Sequence, residues 1–115
     1  MKTLQQAEAL SKSDRALISR IKDLILQRLP DAQVYLYGSV ARGTAGPESD
    51  YDVLVLTDRR LDMDEKNLVR DAIYDIELSN EVICPIIFYS KEEWNSSPLS
   101  GSPFRAAVED EAIAL

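Results

Sequence analysis

The stretch YGSVARGTAGPESDYDVLVL, Tyr37 to Leu56, sets three glycines and two aspartates between two strand-like runs. Before it, Gln33 to Tyr37 reads as a short strand. After the turn, Tyr51 to Thr57 is almost entirely Val and Leu, the pattern of a strand buried on both faces. Asp50 and Asp52 stand two apart on the lip of that second strand, so their carboxylates share one face while Tyr51 points to the other. Neighbouring carboxylates repel and cling to protons unless a cation lies between them, and a hard, oxygen-loving ion such as Mg²⁺ is the natural occupant. Read alone, Asp-x-Asp fits a solvated turn as well, because turns are rich in Asp.

The glycines carry two readings as well. Gly38-Ser39 closes the first strand and Val40-Ala41-Arg42 opens a short helix, an arrangement that lets backbone N–H groups approach a phosphate. A tight surface crossing through Gly38, Gly43 and Gly46 is the plainer reading. Gly38 to Gly43 has the glycine spacing of a P-loop, but Thr44-Ala45 stands where Lys-Ser or Lys-Thr is required, which excludes a Walker-type ATPase. A calcium loop fails too, since Leu54 occupies a ligand position and the central glycine is missing.

The rest of the chain narrows the chemistry. It has 115 residues, a net charge of −7, one cysteine and no histidine. Length implies a single domain over residues 1–115. Without histidine, Ser-His-Asp and Cys-His mechanisms are excluded, as are the common His-containing zinc sites. No stripe of Lys or Arg supplies the basic footprint that duplex DNA requires, which makes duplex DNA a poor first guess for the partner and leaves small nucleotides carried with a metal open. No secretory run opens the sequence and no apolar stretch nears the roughly 20 residues of a membrane span, which leads to the expectation of a soluble, cytoplasmic protein. Cys84, between Ile83 and Pro85, reads as an inert buried thiol.

Helix signals punctuate the remainder. Ser11 to Asp14 resembles a capping box, followed by Leu17, Ile21, Leu24, Ile25 and Leu29 at helical spacing up to Pro30. Asp62 to Glu65 gives a second such start, with Val69, Ala72, Ile73 and Ile76 on one face of a helix reaching about Ser79. A third strand is expected over Glu81 to Tyr89, its Cys84-Pro85 pair marking an edge or bulge. One helical turn at Ser90 to Trp94, a flexible loop around Asn95 to Gly101, and a last helix capped by Ser102-Pro103 complete the order. The reading is an α/β (α+β) fold: a small mixed sheet of three to four strands packed on helices.

With strand, Gly38-Ser39, ten intervening residues and then Asp50-Tyr51-Asp52 leading a buried strand, the chain resembles the minimal nucleotidyltransferases of the DNA polymerase beta superfamily. Ser39-Val40-Ala41-Arg42-Gly43 and Ser49-Asp50-Tyr51-Asp52 carry the likeness. The resemblance implies a nucleotidyltransferase-like fold in which Gly38 and Ser39 hold the terminal phosphates of a nucleoside triphosphate. It implies also that Asp50 and Asp52 are catalytic metal ligands in a two-Mg²⁺ site, and that a nucleoside monophosphate, AMP foremost, moves to a hydroxyl. Arg42 either neutralises triphosphate charge or pairs with Glu48 or Asp50. Active members add a third carboxylate from the next strand. Here its middle holds Cys84-Pro85, and the nearest acid is Glu81 at its entrance, while Asp75 and Glu77 belong to the preceding helix and are expected to face water. Small stand-alone members are often antitoxins paired with an all-helical ribonuclease toxin, so the implied partner is a helical protein, with Trp94 and Phe104 as aromatic landing points or as ordinary core. A catalytically weak binding module on the same fold is the alternative.

Overall fold

The computed structural model describes residues 1–46 and 50–115, so Glu48 and Ser49 of the turn lie outside the described residues. Among the described residues, five strands, β1 (Lys2–Thr3), β2 (Gln33–Tyr37), β3 (Asp52–Thr57), β4 (Ile86–Ser90) and β5 (Ile113–Ala114), form one sheet in the order β1-β5-β2-β3-β4. The helices are α1 (Lys12–Arg28), α2 (Gly38–Arg42), α3 (Met63–Asn80), α4 (Lys91–Trp94) and α5 (Pro103–Glu111). The sheet is mixed: β2 is antiparallel to β3 and β5, whereas β3 runs parallel to β4.

Local signals account for most element starts. Ser11, Asp62 and Ser90 each close a capping box with the residue three positions on, satisfying N–H groups that a helix cannot pair internally. Ser102 caps α5, whose first residue is Pro103. α1 buries Leu17, Ile18, Ile21 and Ile25, and α3 buries Val69, Ile73 and Ile76, against the same side of the sheet. Leu24 and Leu29, expected on the buried stripe of α1, are only partly covered.

Alternation along β3 separates two cores. Val53 and Val55 join the α1 and α3 side, while Leu54 and Leu56 face Trp94, Val108 and Ala112 on the other. All four are nearly inaccessible, as a strand buried on both faces requires. The second core is small and aromatic: Phe104 meets Tyr37 and Trp94 edge-on at 5.9 and 6.3 Å. Trp94 itself is buried, its Nε1 donating to Glu109 Oε1 at 3.2 Å, so it is core rather than an open landing point.

The structure departs from the sequence reading in three places. The sheet gains β1 and β5, each two residues long and too short to leave a periodic pattern. β4 begins at Ile86 rather than Glu81, because α3 runs to Asn80 and Glu81 caps it in the left-handed conformation with φ 54°. The segment after α4 forms a 3₁₀ turn, Leu99–Gly101, with Ser100 N–H bonded to the Ser96 carbonyl at 2.9 Å. The proline signal held: Pro85 immediately precedes β4, which is an edge strand.

β5 lies between β1 and β2, so its short length belies its weight. Ile113 is wholly buried. Replacing it by Ala should cost about 2–4 kcal/mol in urea unfolding, against no more than about 0.5 kcal/mol for Met63→Ala on the exposed start of α3.

Candidate functional site

Antiparallel pairing of β2 with β3 sets Tyr37 opposite Asp52. The residue after Tyr37 therefore lies beside the Asp52 side chain. Gly38 begins α2 there with φ 79°, and a Cβ on it would stand 2.2 Å from Asp52 Oδ2. Only glycine meets both demands, since a side chain would be strained by the backbone and would strike the carboxylate. At the other end of α2, Gly43 takes φ 77° and its N–H reaches back to the Ser39 and Val40 carbonyls, ending the helix after five residues.

The face alternation of β3 assigns Asp52 to the same side as Leu54 and Leu56, the side covered by α5. Tyr51 turns the opposite way, its hydroxyl donating to Asp14 Oδ1 at 2.7 Å under the first turn of α1. That bond, with burial foremost, pushes the Tyr51 phenol up to about 12. Asp50 and Asp52 thus form one electrostatic unit, as expected from their spacing. The Asp52 carboxyl is raised above its ordinary value, first by burial, then by Asp50, with Glu111 adding to the rise and Arg42 opposing it. Tyr37, pushed up to about 12 by burial and then Asp52, remains a neutral phenol beside them.

Arg42 has a partner that the sequence did not suggest. Its Nη1 donates to Glu111 Oε2 at 2.6 Å, joining the end of α2 to the end of α5 across 69 positions. Neither Asp50 nor a phosphate is needed to explain its position, and Glu48 lies outside the described residues.

The third carboxylate expected from the next strand does not arrive. Tyr51 N–H bonds the Ile83 carbonyl at 2.9 Å and Val53 N–H the Pro85 carbonyl at 3.0 Å, so the chain beside Asp52 offers Ile83, Cys84 and Pro85. Glu81 is exposed at the cap of α3. Glu77, expected to face water, instead accepts the Cys84 N–H at 2.8 Å, whereas Asp75 is exposed. Burial, then Glu77 and Asp52, push the Cys84 thiol up to about 12, which fits the inert reading. Among the described residues, no group of three Asp, Glu or Cys side chains is placed to hold a metal ion. Asp52, with its carboxyl raised, and Asp50 two positions before it are oxygen donors of the kind a hard divalent cation such as Mg²⁺ takes.

A cleft of about 610 Å³ sits at the opposite end of β3 and β4, lined by Asp58, Arg59, Arg60, Ser90 and neighbours. Most of its charges are already matched, Arg59 with Glu65, Arg60 with Glu93 and Asp58 with Lys91, while Glu92 also lines it. Volume alone therefore does not move the site away from the aspartates.

With this geometry in view, likeness to known proteins becomes specific. The chain belongs to the nucleotidyltransferase domain family, whose model matches residues 18–115. It is 33% identical over 98 residues to the CCA-adding enzyme of Methanopyrus kandleri, an alignment that spans 84% of this chain but 19% of that enzyme. Its fold is similar to a toxin–antitoxin crystallised with AMP-PNP, with a TM-score of 0.58 and 18% identity over 84% of this chain and 69% of that one. A mutant of the MntA-HpeT toxin–antitoxin gives a TM-score of 0.57 and 16% identity at the same coverage.

The raised Asp52 carboxyl has a consequence for stability. The unfolded chain ionises this group at its ordinary value of 3.8, before the folded chain does. Folding is therefore penalised as pH climbs from 3.8 to the raised value, and the penalty persists above it. Asp52→Asn should stabilise the protein at neutral pH, with the gain fading below about pH 4. Urea unfolding at the two pH values measures the difference.

Proposed function

We propose that this chain is a Mg²⁺-dependent nucleotidyltransferase that moves a nucleoside monophosphate, AMP first, from a nucleoside triphosphate to a hydroxyl of a helical partner protein. The observation that carries the reading is the close fit of Gly38 against Asp52 in a member of the nucleotidyltransferase family. In this reading Asp50 and Asp52 are the catalytic metal ligands. Bound Mg²⁺ would neutralise charge on the phosphates and favour in-line displacement at the α-phosphorus. Gly38 leaves room for phosphate oxygens beside the first turn of α2, the Ser39 hydroxyl and the unpaired N–H groups of that turn donate to them, and Arg42 supplies positive charge. The acceptor hydroxyl oxygen bonds to the α-phosphorus as the bond to the bridging oxygen breaks, the hydroxyl proton passes to solvent, and pyrophosphate leaves.

AMP-PNP in the similar toxin–antitoxin structure supports adenine as the base, and that protein's assembly supports a protein partner. Membership of the antitoxin class and the helical nature of the partner rest on the family resemblance. None of the described helices is long and apolar enough to cross a membrane.

A second reading is favoured by one specific observation, the run of Ile83, Cys84 and Pro85 where a third acid is expected. Without that acid the acceptor loses a base, an effect worth about 10²–10⁴-fold. The protein would then act by docking to its partner, with a nucleotide pocket that turns over slowly or not at all.

Label transfer separates the two. A nucleoside triphosphate labelled at the α-phosphate should label the partner, a γ-label should not, EDTA should abolish transfer, and Asp52→Asn should reduce it about 100-fold or more. Unchanged transfer by Asp52→Asn would refute the mechanism. Nucleotide binding without any transfer would select the docking module.

A further inference from the structure

We propose that Glu111 is a specificity-determining residue of the nucleotide site: its carboxylate engages Arg42 and holds the site closed to a bare triphosphate until a divalent cation has neutralised the aspartates. This rests on the nucleotidyltransferase reading and deepens it. The geometry is asymmetric. The Arg42 side chain is 50% exposed and that of Glu111 only 14%, so the acid is fixed by the fold while the guanidinium has room to turn. Glu111 is the last residue of α5, and the buried Ala112 and Ile113 that follow anchor it to β5. Arg42 ends the short α2, whose first residue touches Asp52.

Charge gives this pair its significance. Glu111 faces the same region as Asp50 and Asp52, and it shares with Asp50 in raising the Asp52 carboxyl. Asp52 thus feels two further acids and one guanidinium, and that guanidinium is already bonded to Glu111. The carbonyl end of α5 adds further negative potential beside it. A triphosphate approaching without metal meets these acids, and Arg42, the cation assigned to it in the nucleotidyltransferase reading, is already engaged by an acid 2.6 Å away. With the aspartates neutralised by a bound Mg²⁺, that balance would reverse, and Arg42 would be free to exchange the Glu111 carboxylate for a phosphate oxygen, another anionic acceptor. Of the other acids on α5, Glu109 is taken by Arg105 and the Trp94 indole, and Asp110 is exposed.

A purely structural tie between α2 and α5 makes the opposite prediction, because weakening it would loosen the site and lower affinity. The test is calorimetric titration of AMP-PNP and of AMP, with Mg²⁺ and with EDTA, into the wild type, Glu111→Gln and Arg42→Gln/Glu111→Gln. Glu111→Gln should bind metal-free AMP-PNP about 3–10-fold more tightly than the wild type, with a smaller gain in Mg²⁺ and for AMP. That gain should shrink in the double variant, where there is no Arg42 to release. Metal-free affinity that is unchanged or weaker in Glu111→Gln, or an equal gain without Arg42, overturns the proposal while leaving the nucleotidyltransferase reading intact. A wild type that binds AMP-PNP in neither condition overturns both. Should Glu111→Gln fail to fold by circular dichroism, Glu111→Ala is read by the same criteria.

Discussion

The close approach of the Asp52 carboxylate to the backbone of Gly38 is the constraint around which this molecule is arranged. It exists because β2 and β3 pair antiparallel with Tyr37 opposite Asp52, so the last residue of one strand and the first of the other meet at the same level. One extra residue in either strand would turn Asp52 to the α1 side and bring Tyr51 against α2. The buried Val and Leu of β3 oppose such a slip, since every side chain would change cores. Core packing thus fixes the register, and the register fixes the site.

That dependence explains why a polar site tolerates so thin a wall. On the α5 side only a small aromatic cluster covers the sheet, with Phe104 held edge-on between Tyr37 and Trp94. The same layer carries Glu111 to Arg42. Helix α5 therefore has a double assignment, closing the second core through Val108 and placing an acid at the mouth of the site through the residue at its end. The α1 and α3 side, by contrast, is broad and almost wholly aliphatic, and it is the source of most of the buried area. Stability and chemistry are divided between the faces of one sheet.

What was legible in the sequence follows the range of the interactions concerned. The caps of α1, α3, α4 and α5 depend on residues three positions apart and were readable directly. β2 and β3 announced themselves by composition, and Asp50 and Asp52 by their shared parity at the start of a buried strand. β1 and β5 were not readable, because two residues hold no period and their pairing joins the first and last residues of the sequence. Nor was the Arg42–Glu111 pair, formed across 69 positions. Glu81 misled for a subtler reason. It precedes an apolar run and looks like a strand entrance, but the helix before it extends to Asn80 and takes it as a left-handed cap, a role that favours glycine and carries no sequence mark when glutamate fills it.

The missing third acid and the added Glu111 are two sides of one electrostatic problem. A carboxylate on the strand beside Asp52 would strengthen a metal site but also deepen its repulsion when empty. Here that position is filled by Cys84 and Pro85, and the nearest additional acid comes from the helical layer already neutralised by Arg42. The empty site consequently carries fewer unmatched charges than three acids on one face would impose, which limits the cost of folding it without a ligand. A chain built this way keeps the charge beside Asp52 low, so that strand register and core packing, rather than a bound ligand, hold the region together.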